Sequence, residues 1–216
     1  MSNGPKNTQL KVSGLSIGYA KRPVIKDLTL APFKPGTLTA LVGPNAAGKS
    51  TLLRGLAGLQ RASGEIHLGD TNLLRLSLPE YSRHVGYMPQ SLPQRVALTV
   101  YEAMLSALRT SQGLTSSTEA RQIAMTTLER LGIADLAMRG LDELSGGQRQ
   151  LASLAQAIAR KPAVLLLDEP TSNVDSINEG VILKALKEQK NIKSIILVSH
   201  RESTMTITDR IYRVEE

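Results

Sequence analysis

Short apolar runs separated by glycine and proline dominate the first third of the chain. Runs rich in apolar and β-branched residues are typical of strands, and their punctuation by turn residues predicts a β-rich region from about Leu10 to Asp70. One helix, over about Lys49–Ala57, interrupts this region. The predicted strands are Leu15–Tyr19, Val24–Leu30, Thr37–Val42 and Glu65–Leu68.

The middle of the chain changes to helical patterns. Thr99 and Glu102 have the T-x-x-E spacing of a capping box, which predicts a helix that begins there and runs to about Arg109. Ser116 and Glu119 repeat the spacing before a second predicted helix.

The last third alternates helix and strand. Leu151, Leu154, Ala155 and Ile158 form one apolar stripe at helical spacing, so we expect a helix that begins near Ser145 and is ended by Pro162. The continuous apolar run Val164–Leu167 is typical of a parallel strand that is buried on both faces. A further helix is predicted over about Ile177–Gln189 and a strand over Ser194–Val198.

These patterns predict an α/β protein with one domain over residues 1–216. A core is expected from about 1–90 and 144–216, with an N-terminal β subdomain, and a helical insert is expected over about 91–143. No internal repeat is visible.

The amino-acid composition limits the classes of molecule that this protein is expected to bind. The 216 residues carry a net charge of +7, but lysine and arginine are dispersed and aromatic residues make up only 3%. Single-stranded nucleic acid is usually bound by a basic groove with stacking aromatics, so we expect no nucleic-acid partner. There is no cysteine, no apolar run long enough to span a membrane and no apolar leader in the first residues. We therefore expect a cytosolic location, and the basic surplus suits an anionic inner membrane surface.

A phosphate-binding pattern follows the predicted strand Thr37–Val42. The segment Gly43–Thr51 reads GPNAAGKST and is called the phosphate loop here; it satisfies G-x-x-x-x-G-K-[ST]. Its glycines let the backbone approach a polyphosphate, and the following helix N-terminus supplies N–H groups. Lys49 adds a positive charge, and the Ser50 hydroxyl suits Mg²⁺.

Polar residues also end the later predicted strands. Asp168 and Glu169 follow VLLL, at the strand end where α/β proteins bind ligands. Asp168 suits the same Mg²⁺ ion, whereas alternation along a strand should turn Glu169 another way, where it could act as general base toward water. His200 follows SIILVS and could donate to a γ-phosphate, and Gln90 ends VGYMPQ and could reach the metal or the water.

A second glycine pair stands at the start of the helix near Ser145. The segment Leu144–Gln148, LSGGQ, is called the signature segment here. Its N–H groups could form a second anion site, and a head-to-tail dimer in which each signature segment covers the partner's nucleotide would use both sites. The alternative is an ordinary N-capped helix.

Together, these residues resemble the ATP-binding cassette family, the nucleotide-binding subunits of ABC transporters. GPNAAGKST resembles the Walker A motif, VLLLDEP the Walker B motif, and LSGGQ matches the family signature. Gln90 stands where the Q-loop glutamine would be, His200 where the switch histidine would be, and SNVD (172–175) resembles the D-loop. Tyr19 stands where an aromatic residue would stack on adenine.

The resemblance implies a P-loop NTPase core with a mixed sheet, an antiparallel β subdomain and a helical subdomain. It implies ATP and Mg²⁺, a homodimer that encloses two ATP molecules, and a separate integral membrane permease, with a possible substrate-binding protein, on the inner face of a prokaryotic cell membrane. The implied catalytic residues are Glu169, His200 and Gln90. The implied metal ligands are Ser50, Gln90 and Asp168. The implied nucleotide-binding residues are Tyr19, Gly43, Pro44, Asn45, Ala46, Ala47, Gly48, Lys49, Ser50, Thr51, Ser145, Gly146, Gly147, Gln148 and Asp175.

The chain departs from the family pattern in three places. Ala46 stands where many members have glycine, so we predict a negative φ there. SNVD replaces the commoner SALD. Through about Asp175 the chain resembles importers of iron chelates or vitamin B12, whereas from about Ser176 it resembles peptide or bacteriocin exporters, which suggests a recombined or truncated cassette.

The primary hypothesis is an ATPase subunit that drives uptake of an iron chelate or related cofactor. The alternatives are the cassette of a peptide or bacteriocin exporter, a non-transport cassette acting on DNA or ribosomes, and a non-hydrolytic nucleotide sensor. The sequence contains no coiled-coil insertion and one phosphate loop, which disfavours the DNA and ribosome classes. Intact Glu169 and His200 disfavour the sensor.

Overall fold

The computed structural model describes residues 9–19, 22–91, 97–112, 116–172 and 174–214. The strands are β1 Leu10–Tyr19, β2 Arg22–Phe33, β3 Leu38–Val42, β4 Ala62–Leu68, β5 Thr71–Asn72, β6 Val85–Met88, β7 Val164–Asp168, β8 Ser194–Val198 and β9 Arg210–Arg213. The helices are α1 Lys49–Leu56, α2 Leu78–His84, α3 Val100–Gln112, α4 Ser117–Arg130, α5 Gly146–Ala159, α6 Ser176–Lys190 and α7 Glu202–Met205. Short 3₁₀ turns occur at Leu73–Arg75 and Ala134–Leu136.

Strand pairing divides the described strands between two sheets. The first sheet has the order β2-β1-β4-β5, and its pairs are antiparallel. The second has the order β6-β7-β8-β3-β9, and its pairs are parallel. The predicted α/β fold is thus confirmed, although parallel and antiparallel pairing are segregated between the sheets instead of being mixed in one.

Strands β7 and β8 are buried along their whole length, as their continuous apolar sequences predict. Leu165 and Leu197 belong to the apolar cluster on one face of the sheet, whereas Leu166 and Ile196 belong to the cluster on the other face. The parallel sheet therefore lies between two apolar layers. The carboxyl ends of its strands meet at one edge, where ligands bind in α/β folds.

The helices occupy the two faces of this sheet. Helix α1 contributes Leu52, Leu53 and Leu56 to the cluster shared with the antiparallel sheet. Helices α3 to α6 share the opposite cluster, in which α5 contacts both α3 and α4. The two helices of the predicted insert are present, while the division of the chain into subdomains stays a prediction.

Several local features differ from the sequence predictions. Helix α5 ends at Ala159, with Arg160 as C-cap, and Lys161 adopts φ 51°, so the helix has ended before Pro162. The Thr99–Glu102 capping box is complete, whereas at Ser116 the described bonds contain only the half in which Glu119 N–H donates to Ser116 Oγ, at 3.2 Å. Elements α2, β6 and β9 are short, and their weak patterns were not anticipated.

Candidate nucleotide-binding site

A cleft of about 790 Å³ lies at the carboxyl edge of the parallel sheet. The phosphate loop follows β3, Glu169 follows β7 directly, and His200 is the second residue after β8. The parallel arrangement of these strands therefore brings residues distant in sequence to one place. The cleft is lined by Val24, Asn45, Ala46, Gly48, Lys49, Ser50, Thr51, Gln90, Glu169, Val198 and His200.

The phosphate loop leads directly into α1. Gly48 is the N-cap residue, with φ 86°, and no side chain caps the helix. The first-turn N–H groups of a helix have no intrahelical acceptors, and they carry the positive end of the helix dipole. An anion in the cleft would accept hydrogen bonds from these N–H groups and would be stabilised by the helix dipole.

Lys49 is held within this loop. Its Nζ donates to Gly43 O at 2.8 Å and to Pro44 O at 2.6 Å. A lysine ammonium has three donors, so two remain in the loop and the third can reach a ligand. Ala47 N also donates to Pro44 O, at 3.4 Å, which closes the turn.

Ala46 corrects the sequence prediction of a negative φ: its φ is 66°. An L-residue in this left-handed region costs about 1–2 kcal/mol. This conformation is part of the tight turn between Pro44 and Gly48. Alternating right- and left-handed residues in such a turn direct successive N–H groups toward a common point, where an anion can bind. The side chain of Ala46 is exposed, so the cost comes from the backbone alone.

Ser50 and Asp168 lie together, as the metal-site prediction requires. Ser50 Oγ donates to Asp168 Oδ1 at 2.9 Å, although 118 residues separate them. Tyr87 OH donates to Asp168 Oδ2 at 3.3 Å. Burial chiefly raises the pKa of Tyr87, and the Asp168 carboxylate also raises it, so the phenol keeps its proton. Asp168 itself is only 1% exposed.

Glu169 lies between Gln90 and His200. Gln90 Nε2 donates to Glu169 Oε2 at 3.1 Å, and His200 Nε2 lies 3.8 Å from Glu169 Oε1. The sequence predicts that strand alternation turns Glu169 away from Asp168, and this reason is wrong. Glu169 has φ 48°, so β7 has already ended and strand alternation does not apply to it. Its backbone N–H still donates to Val198 O, at 3.0 Å, which fixes the side chain beside β8.

The signature segment lies outside this cleft, since none of its residues is among the lining residues. Ser145 Oγ accepts from Gln148 N at 3.3 Å, and Gln148 Oε1 accepts from Ser145 N at 3.0 Å, which is a complete capping box. A Cβ added to Gly147 would lie 2.7 Å from Asn178 Nδ2, so this glycine permits close contact with α6. The predicted N-capped helix is therefore present; a role in binding a partner's nucleotide stays a prediction.

The remaining predicted residues have separate positions. Asp175 caps α6: its Oδ1 accepts from Ile177 N and Asn178 N, each at 3.0 Å. These hydrogen bonds, chiefly that from the Asn178 backbone, lower the pKa of Asp175. The backbone of Tyr19 ends β1, but its side chain lies outside the described residues, as does Asn173 of the SNVD segment.

Three residues of the site region were missed by the sequence reasoning. Gln150 is buried on α5, and its Nε2 donates to Gln90 O at 2.8 Å. This bond connects α5 to the segment that follows β6. Val24 lies over the phosphate loop, since its Cγ1 would be 3.2 Å from a Cβ on Gly48. Arg201 anchors the segment after His200 by bonds to Glu179 and Val174 O. Only the pattern GGQxQ could have indicated Gln150.

Comparison with known proteins identifies the family. A family model described as "ABC transporter" matches residues 25–172. The manganese transport system ATP-binding protein MntB of Listeria monocytogenes is 34% identical over 197 residues, which cover 88% of this chain and 80% of MntB. The iron(3+)-hydroxamate import ATP-binding protein FhuC of Bacillus subtilis is 34% identical over 198 residues, covering 88% of this chain and 72% of FhuC.

A solved structure agrees with these matches. The post-hydrolysis dimer of the ATP-binding cassette MJ0796, bound to ADP and Pi, superposes with a TM-score of 0.84 at 25% identity, over 95% of this chain and 94% of that one. Among the described residues, no helix has both the length and the apolar character needed to cross a membrane. The chain belongs to the ABC transporter family, as an ATP-binding subunit that hydrolyses ATP.

Proposed function

We propose that this subunit hydrolyses MgATP with Glu169 as the general base and thereby drives uptake of a metal ion or metal chelate through a separate membrane permease. The position of Glu169 supports the catalytic part. Its carboxylate lies between the Gln90 amide and the His200 imidazole, in the same cleft as the phosphate loop.

Each group has a role in the proposed reaction. A water oxygen attacks the γ-phosphorus, the bond from that phosphorus to the β–γ bridging oxygen breaks, and the water's proton passes to Glu169; ADP and inorganic phosphate leave. Lys49 and the α1 N-terminus hold the phosphates. The Gln90 amide orients the Glu169 carboxylate, and His200 donates to the γ-phosphate.

The donor set fits Mg²⁺. Hard oxygen donors suit this ion, and the Ser50 hydroxyl and the Asp168 carboxylate are adjacent. We assign the ion to Ser50 and Asp168, and Gln90, whose side chain lines the cleft with Ser50, would be a further ligand. When bound, Mg²⁺ neutralises charge on the β- and γ-phosphates.

A head-to-tail homodimer explains the position of the signature segment. Ser145, Gly146 and Gln148 lie away from the chain's own cleft, with Ser145 and Gly146 exposed. In the proposed dimer these groups cover the γ-phosphate held by the partner, and Asp175 lies at the junction. The dimeric MJ0796 structure supports this arrangement by similarity.

The names of the relatives support the transport part. MntB is described as part of a manganese transport system, and FhuC as an iron(3+)-hydroxamate import protein. A solved metal-chelate-type ABC transporter in an inward-facing conformation is 28% identical, with a TM-score of 0.78, over 97% of this chain and 80% of that one. These names favour uptake over the export suggested by the sequence after Ser176. The subunit would then act at the inner face of the membrane.

Replacing Glu169 by glutamine tests the general base. Glu169→Gln keeps the shape and the hydrogen bonds of the side chain but removes its proton affinity, so phosphate release should fall by about 10²–10⁴-fold while ATP binding persists. Dimers should accumulate in MgATP, as seen by size-exclusion chromatography with light scattering. Glu129→Gln, an exposed change on α4, is the control and should leave phosphate release unchanged. Full turnover by Glu169→Gln would remove Glu169 from the role of base.

A further inference from the structure

A second cavity lies at the opposite edge of the parallel sheet. It has a volume of about 440 Å³ and is bounded by α4, α5, α6 and the residues that enter β7 and β8. Lys161 and Lys193 precede these strands, whereas Asp168 and His200 stand at or after their carboxyl ends. A five-residue strand spans about 13 Å, so this cavity is separate from the nucleotide cleft. It is called the Lys193 cavity here.

Lys193 is a buried cation in the wall of this cavity. The residue is 5% exposed, and within the described part of the chain its ammonium has no hydrogen bond or ion pair. Its backbone is fixed: Lys193 N donates to Gln189 O at 3.1 Å, and Lys193 O accepts from Gly36 N at 3.2 Å. Although the residue as a whole is buried, Lys193 Nζ is not fully enclosed, so the ammonium is open to the cavity and can pair there with an anion instead of with water.

The remaining charges of the cavity also favour an anion. Lys161 is exposed at the rim, in a left-handed conformation that follows α5. Arg130 and Glu188 face each other across α4 and α6, at 3.8 Å, and their charges offset. The two lysines therefore leave an excess of positive charge, and burial together with the charge of Lys161 lowers the pKa of Lys193 to about 8. At neutral pH the ammonium is still mostly protonated.

The rest of the lining is mainly aliphatic, with Thr127 and Gln189 as its uncharged polar residues. Ile123, Leu131, Ile158, Pro162 and Ile192 line it. Its volume lies in the range of small-molecule sites. An inorganic phosphate would require several convergent donors, but the Thr127 hydroxyl already donates to Ile123 O at 2.7 Å, and the lining residues include no glycine-rich loop and no helix N-terminus. A hydrocarbon body with a single negative head group matches these walls better.

We propose that the Lys193 cavity binds a small carboxylate with an aliphatic body, its carboxylate paired with Lys193 and Lys161 and its hydrocarbon packed between α4, α5 and α6. Such a ligand bridges the helices of the insert and the core. The proposal does not depend on the reaction assigned to the nucleotide cleft.

Calorimetric titration of the full chain with octanoate tests this proposal. Octanoate should bind at submillimolar concentration, whereas acetate, which lacks the hydrocarbon, and octan-1-ol, which lacks the charge, should each bind at least tenfold more weakly. Inorganic phosphate should not compete. If octan-1-ol bound as tightly as octanoate, the proposed pairing of a carboxylate with the lysines would be wrong. If phosphate competed, the proposed requirement for a hydrocarbon body would be wrong.

Variants locate the site. Lys193→Met keeps the side-chain length and should weaken octanoate binding at least tenfold, and Lys161→Met, an exposed change, should weaken it by a smaller factor. Lys184→Met, an exposed lysine of α6 that does not line the cavity, is the matched control and should change nothing. MgATP binding should persist in Lys193→Met, which shows that the variant is folded. No octanoate binding by the wild-type chain, or equal binding by Lys193→Met, overturns the proposal.

The pH dependence gives a second readout. Lys193 loses its proton as pH rises through about 8, so octanoate affinity should fall between pH 7 and pH 9.5. The other charged groups that line the cavity are Arg130 on α4, Lys161 after α5 and Glu188 on α6. In Lys193→Met this decline should largely disappear. A decline of the same size in that variant would assign it to another group.

Discussion

Two helices of this protein begin after glycine-bearing segments, yet their N-termini are satisfied in different ways. Helix α1 begins after Gly48, with no side-chain cap and with the chain in a left-handed conformation. Helix α5 begins after Ser145, whose hydroxyl and backbone are both bonded to Gln148 in a capping box. Sequence reasoning had treated both segments as possible anion sites.

The difference in capping distinguishes the two possible anion sites. The site at α1 is formed within one chain, whereas the site at α5 would need groups from a second chain. At α1, the first-turn N–H groups face a cleft that also contains Lys49, Ser50 and Glu169. At α5, one N–H group is already bonded to the helix's own cap. The glycines differ as well: Gly48 is needed for its positive φ, whereas Gly147 is needed for its contact with Asn178. Of these two termini, the one at α1 has no side-chain cap and is open to the cleft of its own chain.

The strongest test of this comparison removes the charge at α1. Lys49→Ala should lose about 2–5 kcal/mol of MgATP affinity, because a charged donor to the phosphates is removed. Titration with a fluorescent ATP analogue measures the loss, and circular dichroism checks folding. Lys187→Ala, an exposed change near the end of α6, is the control. Unchanged affinity in Lys49→Ala would mean that α1 is not the phosphate site.

A smaller effect is expected at the start of α5. Ser145→Ala removes the cap and should lower the free energy of unfolding by about 1 kcal/mol in urea denaturation. Under dilute conditions that keep the chain monomeric, its MgATP affinity should stay within about twofold of wild type. Ser117→Ala, an exposed serine in the first turn of α4, serves as the matched change. If the Ser145→Ala monomer lost MgATP binding, the signature segment would contribute to the nucleotide site of its own chain. The proposed difference between the α1 and α5 termini would then be wrong.

The smallest effect is expected within the phosphate loop. Ala46→Gly relieves the left-handed strain of about 1–2 kcal/mol, but the greater entropy of its unfolded chain offsets about 0.4–1 kcal/mol of this gain, so the free energy of unfolding should rise by about 0–1.6 kcal/mol. Ala47→Gly, at the neighbouring residue without a positive φ, should instead destabilise the protein by about 0.4–1 kcal/mol. Equal effects of both changes in urea denaturation would show that the strain at Ala46 is not real.

Local sequence patterns predicted much of this fold. The continuous apolar runs of β7 and β8, the capping box at Thr99 and the N-capped helix at Ser145 depend on near neighbours in the chain, and their predicted bounds are close to the observed ones. The short elements α2, β6 and β9 lacked enough residues for a clear period. The φ of Ala46 was predicted wrongly because propensity alone was considered, whereas the closing turn of the loop determines that angle.

The sequence by itself determined the chemistry available to this protein: a phosphate-binding loop, two adjacent acids, a glutamine and a histidine at strand ends, and a capped signature helix. Only the tertiary structure decided which of these groups meet. It brought Ser50 to Asp168 across 118 residues, set Glu169 between Gln90 and His200, and left Lys193 buried at the far edge of the sheet. The physical reason is that capping and periodicity act between near neighbours, whereas strand order in a parallel sheet is set by burial of apolar surface over the whole chain.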